Sequence, residues 1–421
     1  MSRQQYNGSK PSPLGPIPID WDCALMQDIA AVTRLAGYEY SEYWSEAESG
    51  EILALKGENI GINEIIRKNL AYISNALSMK LNRSRLYKND IVFPCVGTIG
   101  NAYVVRENDK YHINQNIAKI SPNQSRINSF FLAQYLMSDF CKNEIRRFNA
   151  TTSQPNVLVG SLRAFRLLVP PVNEQTKIAE LLKKWDIAIE KITQLIAAKE
   201  QRKKWLMQQL LTGKKRLTGF TSTWREVKMS DIFDRVARRN VELNSTVVTI
   251  SAQRGFVSQG DYFNKIVASD ILDNYFLVHK GEFCYNKSYS NGYPWGATKR
   301  LNDFEKAVVT TLYICFGIKD YKRNSGEFFE HFFESGILDE GLMKIAHEGG
   351  RAHGLLNVTP TDFFNLKITV PEIKEQIAIA NILQTADKEI GLLKLKLSAY
   401  KEQKKGLMQV LLTGKVRLKL K

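Results

Sequence analysis

Residues 169–217 read VPPVNEQTKIAELLKKWDIAIEKITQLIAAKEQRKKWLMQQLLTGKKRL, and residues 370–418 read VPEIKEQIAIANILQTADKEIGLLKLKLSAYKEQKKGLMQVLLTGKVRL. The two stretches align without a gap at an offset of 201, and 22 of 49 positions are identical. That is an internal duplication, and it decides the architecture before any local prediction is made. Fainter echoes lie upstream. Asn156-Val157 and Asn357-Val358 keep the offset, and Trp21…Asp28-Ile29 is matched by Trp224…Asp231-Ile232 at an offset of 203. The chain therefore divides into a flexible tail (1–19), a domain (20–168), a helix (169–217), a second domain (218–369) and a second helix (370–421).

Each copy predicts a helix. Pro170-Pro171 and Pro371 cannot sit inside one but can precede it, and Gly213 and Gly414 stand where a C-terminal cap belongs. Between them apolar residues step by four and three. In the first copy these are Ile178, Leu182, Trp185, Ile189, Ile192 and Ile196; in the second they are Ile379, Leu383, Ile390, Leu393 and Leu397. A seam with a period near 3.5 demands a partner helix. The natural partner of each copy is the other, paired antiparallel about a pseudo-twofold axis; the alternative is two helices packed separately on their own domains. The domains between them mix β-branched, aromatic stretches (Asp90–Val96, Ala102–Val105, Val308–Phe316) with short helical patterns (Phe130–Leu136, Phe328–Phe333). The fold class is thus α+β: two mixed α/β domains separated by two long helices that form an antiparallel coiled coil. Strand order does not follow from the sequence.

Composition narrows the function. With 44 % hydrophobic and 10 % aromatic residues, the chain has the makings of real cores. Its five cysteines are scattered and form no CxxC, which argues against a disulfide scaffold or a structural zinc site and fits a reducing compartment. No apolar run approaches the ~18 residues of a membrane span. The formal net charge is +16, and a polyanion, most often nucleic acid, is the expected partner. Residues 169–216 and 370–421 each carry 11 basic and 5 acidic groups, whereas residues 217–369 carry 18 of each. The excess lies on the helices, so domains that bind DNA must do so through local patches and loops.

Enzymatic signatures are missing. There is no phosphate-binding GxxxxGK[ST], no HExxH and no GxSxG, and Gly97-Thr98-Ile99-Gly100 is too short for a nucleotide-binding turn. The expectation is a binder with no catalytic residues and no metal site. Polar and basic residues in turn-like contexts are the candidates for reading bases, with Arg and Lys suited to guanine and Asn and Gln to adenine. They are Arg83, Arg85, Lys88, Ser153, Gln154, Asn156, Gln253, Arg254, Asn286, Lys287, Tyr289, Asn291, Lys299, Arg300, Arg351 and His353. The basic helix ends, Arg202-Lys203-Lys204, Lys214-Lys215-Arg216 and Lys404-Lys405, suit phosphates or protein partners.

At this point the pattern resembles the specificity subunit of Type I restriction–modification systems. The resemblance rests on the helix start Glu174-Gln175…Ile178-Ala179…Leu182…Asp186 with its copy Glu375-Gln376…Ile379-Ala380…Leu383…Asp387. It rests also on the helix exits Leu210-Leu211-Thr212-Gly213-Lys214 and Leu411-Leu412-Thr413-Gly414-Lys415, on the domain opening Trp224…Asp231-Ile232, and on Tyr285-Asn286-Lys287-Ser288. It implies that each domain is a target recognition domain reading one half of a split, asymmetric DNA sequence. The helices would set the gap and dock two methyltransferase subunits, and motor–nuclease subunits would join that core. The chain itself would hold no cofactor, while the complex would use S-adenosylmethionine, and ATP with Mg for restriction. It would act in a prokaryotic cytoplasm without a membrane. The rivals are a DNA-binding scaffold without sequence preference, and a nuclease or fused methyltransferase with an unrecognised site.

Overall fold

Pro171 and Pro371 do stand just before two 39-residue helices, Val172–Leu210 and Ile373–Leu411, at the offset of the repeat. Both helices end on a glycine with φ of +70° (Gly213 and Gly414). In each, an amide two residues past the glycine returns to a carbonyl six residues back, Lys215 to Gln209 at 3.0 Å and Val416 to Val410 at 3.1 Å, a closure that a left-handed glycine permits. The structure, a computed structural model, describes residues 8–148, 156–258, 272–346 and 356–418. It comprises two units, one of residues 1–193 with 395–421 and one of residues 194–394.

In the first unit the domain opens with β1 (Asp22–Leu25), the one-turn helix α1 (Met26–Ile29) and β2 (Ala30–Thr33). The frame continues with β3 (Ile91–Pro94), β4 (Tyr103–Val104), β5 (Ile117–Pro122), α2 (Ser129–Leu136), α3 (Val159–Arg163) and β6 (Arg166–Val169). An antiparallel sheet has the order β2-β5-β3-β4. β6 pairs antiparallel with β1, from Arg166 opposite Leu25 to Val169 opposite Asp22, so the domain's first and last strands meet at the start of the long helix. A three-stranded sheet of Ala71–Ile73, Ile52–Leu55 and Tyr111–Ile113 is inserted within this frame.

The second unit repeats the frame: β7 (Arg225–Lys228), α4 (Met229–Ile232), β8 (Phe233–Val236), β9 (Phe283–Asn286), β10 (Ala297–Arg300), β11 (Ile314–Ile318), α5 (Gly326–Glu334), α6 (Pro360–Asn365) and β12 (Lys367–Val370). Its sheet has the order β8-β11-β9-β10, and β7 pairs with β12. The insertions differ, being two antiparallel pairs: the hairpin of Val248–Ser251 with Gly255–Ser258, and Phe276–His279 with Lys306–Val309, which flank β9 and β10 in sequence. The stretch Val308–Phe316, which reads as one strand, is therefore two. It breaks over Thr310–Tyr313 because its halves belong to different sheets, and the Thr310 hydroxyl accepts from the Leu312 amide at 3.3 Å in the turn between them.

Each core draws on both long helices. In the first unit Trp21, Phe93, Phe131 and Phe165 pack with Ile178 and Leu182 of the first long helix and with Met408, Leu411 and Leu412 of the second. In the second unit Phe233, Phe283, Phe316, Phe329 and Phe363 pack with Met207, Leu210 and Leu211 of the first and Ile379 and Leu383 of the second. Ile178, Leu182, Ile379 and Leu383, expected at the helix seam, thus fill domain cores as well. Ile192, Ile196 and Ile390 are buried, and Trp185, Ile189, Leu393 and Leu397 are half-buried. Within each unit the helices run antiparallel: Asp186 meets Lys404 at 2.5 Å in the first, and in the second Lys199 meets Glu389 at 2.5 Å and Lys203 meets Asp387 at 2.6 Å. Residues 8–19 depart from a flexible tail. Ser9–Lys10 pairs with Ile17–Pro18, and Ile17 is buried in the first core, where it removes apolar surface from water.

Candidate nucleic-acid interface

The repeated Glu-Gln at each helix start proves to be a structural anchor. Glu174 is fully buried and accepts from the Trp21 indole at 3.0 Å and from Arg417, whose guanidinium also forks onto Asp20 at 2.7 Å twice. That fork holds the Asp20 carboxyl below its ordinary range. Glu375 likewise accepts from the Trp224 indole at 3.1 Å and from Arg216 at 2.7 and 2.8 Å. Gln175 donates to the carbonyl of Pro170 and accepts from the Asn128 amide at the start of α2; Gln376 does the same with Pro371 and the Ser325 amide before α5. These four side chains lock the helix start, the domain opening and a core helix together, because a buried polar group must be satisfied.

With the anchors fixed, the same end of the two sheets carries loops in both domains. In the second, β9 delivers Asn286, whose carboxamide oxygen accepts from the Ser288 amide at 3.1 Å. The chain then passes through Lys287, the exposed Tyr289 and a tight turn in which Ser290 and Tyr293 exchange backbone bonds. The Gln253 side chain crosses from the Ser251–Gly255 turn to donate to the Asn291 carbonyl at 3.0 Å. The Leu356 amide donates to the Lys287 carbonyl at 2.9 Å, and burial lowers the pKa of the Lys287 ammonium. Gln253, Arg254, Asn286, Lys287, Tyr289 and Asn291, six of the candidates named from sequence, are thereby brought to one loop cluster, with Arg254, Tyr289 and Asn291 exposed.

The first domain builds the counterpart from residues that sequence reasoning passed over. β3 ends at Pro94, and the loop Val96–Asn101 follows, with Gly97 at φ +77° and Gly100 at φ +98°. The Thr98 hydroxyl donates to the Gly57 carbonyl at 2.8 Å and the Asn101 carboxamide to the Ile60 carbonyl at 2.9 Å, so a second loop again buttresses the first. Val96 bridges Asn156, and the Val157 amide donates to Cys95 at 2.9 Å, as Leu356 does to Lys287. The Cys95 thiol is pushed by burial to about 11 and is inert at neutral pH. The faint Asn156-Val157 and Asn357-Val358 echo was the signal that pointed here.

Other candidates are spent elsewhere. Arg85 is buried, with Asp109 at 2.6 Å and Asn75 at 2.8 Å. Arg83 pairs with Glu39 at 3.1 Å, Lys88 is exposed, and all three lead into β3 at the end away from the loop. Lys299 pairs with Glu334 at 2.5 Å, and Arg300 with Glu327 at 2.9 Å and Glu330 at 3.5 Å. These charges are neutralised by α5 rather than presented outward. Ser153, Gln154, Arg351 and His353 lie outside the described residues. Of the basic helix ends, Lys203, Lys404, Lys405 and Arg216 pair with Asp387, Asp186, Asp139 and Glu375. Among the described residues no cluster of His, Cys, Asp or Glu could hold a metal ion, and no helix is long and apolar enough to cross a membrane.

A duplicated α/β frame with one braced loop cluster per copy defines the class of architecture, and comparison with known proteins shows what it resembles. Residues 43–200 match the model of the Type I restriction modification DNA specificity domain. The chain is 24 % identical over 97 % of its length to the putative type I restriction enzyme MjaX specificity subunit of Methanocaldococcus jannaschii, 97 % of which is covered. It is 27 % identical over 51 % of its length to the MjaVIII specificity subunit of the same organism, covering 50 % of that protein. The S subunit from M. genitalium shares the fold with a TM-score of 0.54 at 14 % identity, over 96 % of this chain and 97 % of that one. A chain from a type I R-M system, in a study of its complex assembly and conformational transition, gives a TM-score of 0.58 at 14 % identity, over 95 % and 99 %. Over nearly its whole length the chain is thus similar to type I restriction–modification specificity subunits, and it shares the fold of their solved structures.

Proposed function

We propose that this chain is the sequence-reading subunit of a type I restriction–modification complex. Each domain reads one half of a bipartite DNA target through its loop cluster, Val96–Asn101 with Gly57–Ile60 in the first domain and Asn286–Asn291 with Ser251–Gly255 in the second. The observation that carries this reading is the repetition of one frame with different loops. A common frame gives both domains one mode of presenting side chains to DNA, while unlike loops give unlike half-sites and an asymmetric target. Asn, Gln and Arg at braced positions suit base edges, and the basic helices add phosphate affinity without sequence choice.

The long helices fix the distance between the two heads as an antiparallel pair and offer their outer faces to two methyltransferase subunits, with motor–nuclease subunits joining for restriction. The chain performs no chemistry. S-adenosylmethionine belongs to the methyltransferase, whose own pocket receives the flipped base, and ATP with Mg belongs to the motor. The assembly works in the cytoplasm of its prokaryotic host, where its DNA is. The test is a base-resolution methylation map of the host genome with the gene present and deleted. Loss of one interrupted, asymmetric motif on deletion is the expected result; an unchanged map while the partner methyltransferase is expressed would contradict the reading.

A further inference from the structure

The two copies of the helical repeat differ at one place where they make opposite structures. In the first unit Trp185 and Tyr400 meet edge to face, ring centroids 5.3 Å apart, beside the Asp186–Lys404 ion pair. At the offset of 201, Trp185 corresponds to Ala386 and Tyr400 to Lys199, while Asp186 and Lys404 correspond to Asp387 and Lys203, which keep their ion pair at 2.6 Å. The second unit thus retains the polar bond and lacks the aromatic pair. In its place lies a groove of about 350 Å³ lined by Lys199, Arg202, Leu206, Ile382, Thr385 and Ala386 among others.

The walls are apolar where the rings would lie: Leu206, Ile382 and Ala386. The rim is cationic. Lys199 and Lys203 are matched by Glu389 and Asp387, but Arg202 is exposed and has no hydrogen-bond or ion-pair partner among the described residues. The groove therefore has one net positive charge at its mouth and an apolar floor at Ala386, the position that Trp185 occupies in the other copy. An aromatic side chain has the bulk for such a floor and is the commonest anchor of a protein interface, and an unpaired arginine at the rim selects a carboxylate beside it.

We propose that this groove is the socket for an aromatic side chain flanked by an acidic residue on the methyltransferase subunit. This rests on the reading that the chain docks such subunits. It adds that the two helix faces are unequal: the face of the second unit has an open socket and binds its subunit more tightly, whereas that of the first is plugged from within by Trp185.

The test titrates the purified full chain with its methyltransferase subunit and follows stepwise assembly by calorimetry. Wild type is expected to show two unequal steps. Ala386→Trp, which fills the groove from inside, should weaken the tighter step at least ~tenfold, and Arg202→Glu should weaken it by a smaller factor. Arg202 is exposed, so that second variant does not depend on repacking. Two equal steps in wild type, or tight binding unchanged in both variants, overturns the socket while leaving the docking reading standing. No binding of wild type at all overturns the docking reading and the socket with it.

Discussion

The two helix–domain junctions are the most instructive pair of regions in this molecule. In the first unit Gln134, Asp186 and Lys404 form a chain of polar bonds, 2.6 Å from the carboxamide to the carboxylate and 2.5 Å from the ammonium. In the second the same three places hold His331, Asp387 and Lys203, with 3.9 Å between imidazole and carboxylate and 2.6 Å to the ammonium. The backbone frame is shared, yet side-chain burial differs: Asp186 and Lys404 are 12 % and 10 % exposed, Asp387 is 44 % exposed. Duplication preserved the bond and not its environment, and environment decides what such a bond is worth.

That contrast is open to being broken by mutation. Removing the buried carboxylate with Asp186→Ala strands Lys404 in a site with little water and should cost the first unit about 3 kcal/mol, whereas Asp387→Ala should cost the second about 1 kcal/mol or less. Hydrogen exchange of core amides, which reports each unit separately, checks this; equal losses would mean that burial is not the controlling variable. The anchors should rank the other way. Glu375→Ala takes the acceptor from the Trp224 indole and leaves Arg216 its bond to the Ser222 carbonyl at 2.8 Å, so a loss of about 2 kcal/mol is expected in the second unit. Glu174→Ala leaves Arg417 its fork onto Asp20, and the loss in the first unit should be smaller by about 1 kcal/mol.

The smallest effect is one of pH. Burial, seconded by Lys203, holds His331 below its ordinary 6.5, while Asp387, Glu334 and Glu327 partly oppose the shift. The unfolded chain then binds more protons, so stability is full above pH 6.5 and falls as the pH drops through that value toward the folded one. His331→Gln, which installs the residue of the first unit, should flatten this part of the second unit's acid sensitivity by under about 1 kcal/mol. The first unit should be untouched, since its own buried His112, also held low by burial, stays in place. Exchange profiles at pH 5.5 and 7.5, about a unit to either side of the ordinary histidine value, read the difference.

The helices and their boundaries were legible because proline, glycine and a heptad seam are local signals, and the repeat placed them twice. The kinship of the two domains was legible only at its edges, in Trp21 and Trp224 and in Asn156 and Asn357. Between those marks the frame is held by strand pairing across long separations, such as β1 with β6, which no local pattern encodes. The same reason explains the site. Asn286–Asn291 announced itself by composition, whereas Val96–Asn101 is rich in glycine and modest in polarity, and only its place at the end of β3 gives it a role. The pairing of Arg85 with Asp109, Lys299 with Glu334 and Arg300 with Glu327 was not legible, because a basic residue looks alike in sequence whether it faces solvent or a carboxylate brought to it by the fold.

The central claim is that one frame, used twice, reads two independent half-sites. The most direct measurement replaces residues 20–168 with the first domain of another family member and maps methylation at base resolution in a host carrying the partner subunits. The account predicts that one half of the motif changes while the other half and the gap between them stay as they were. A motif altered in both halves would contradict it.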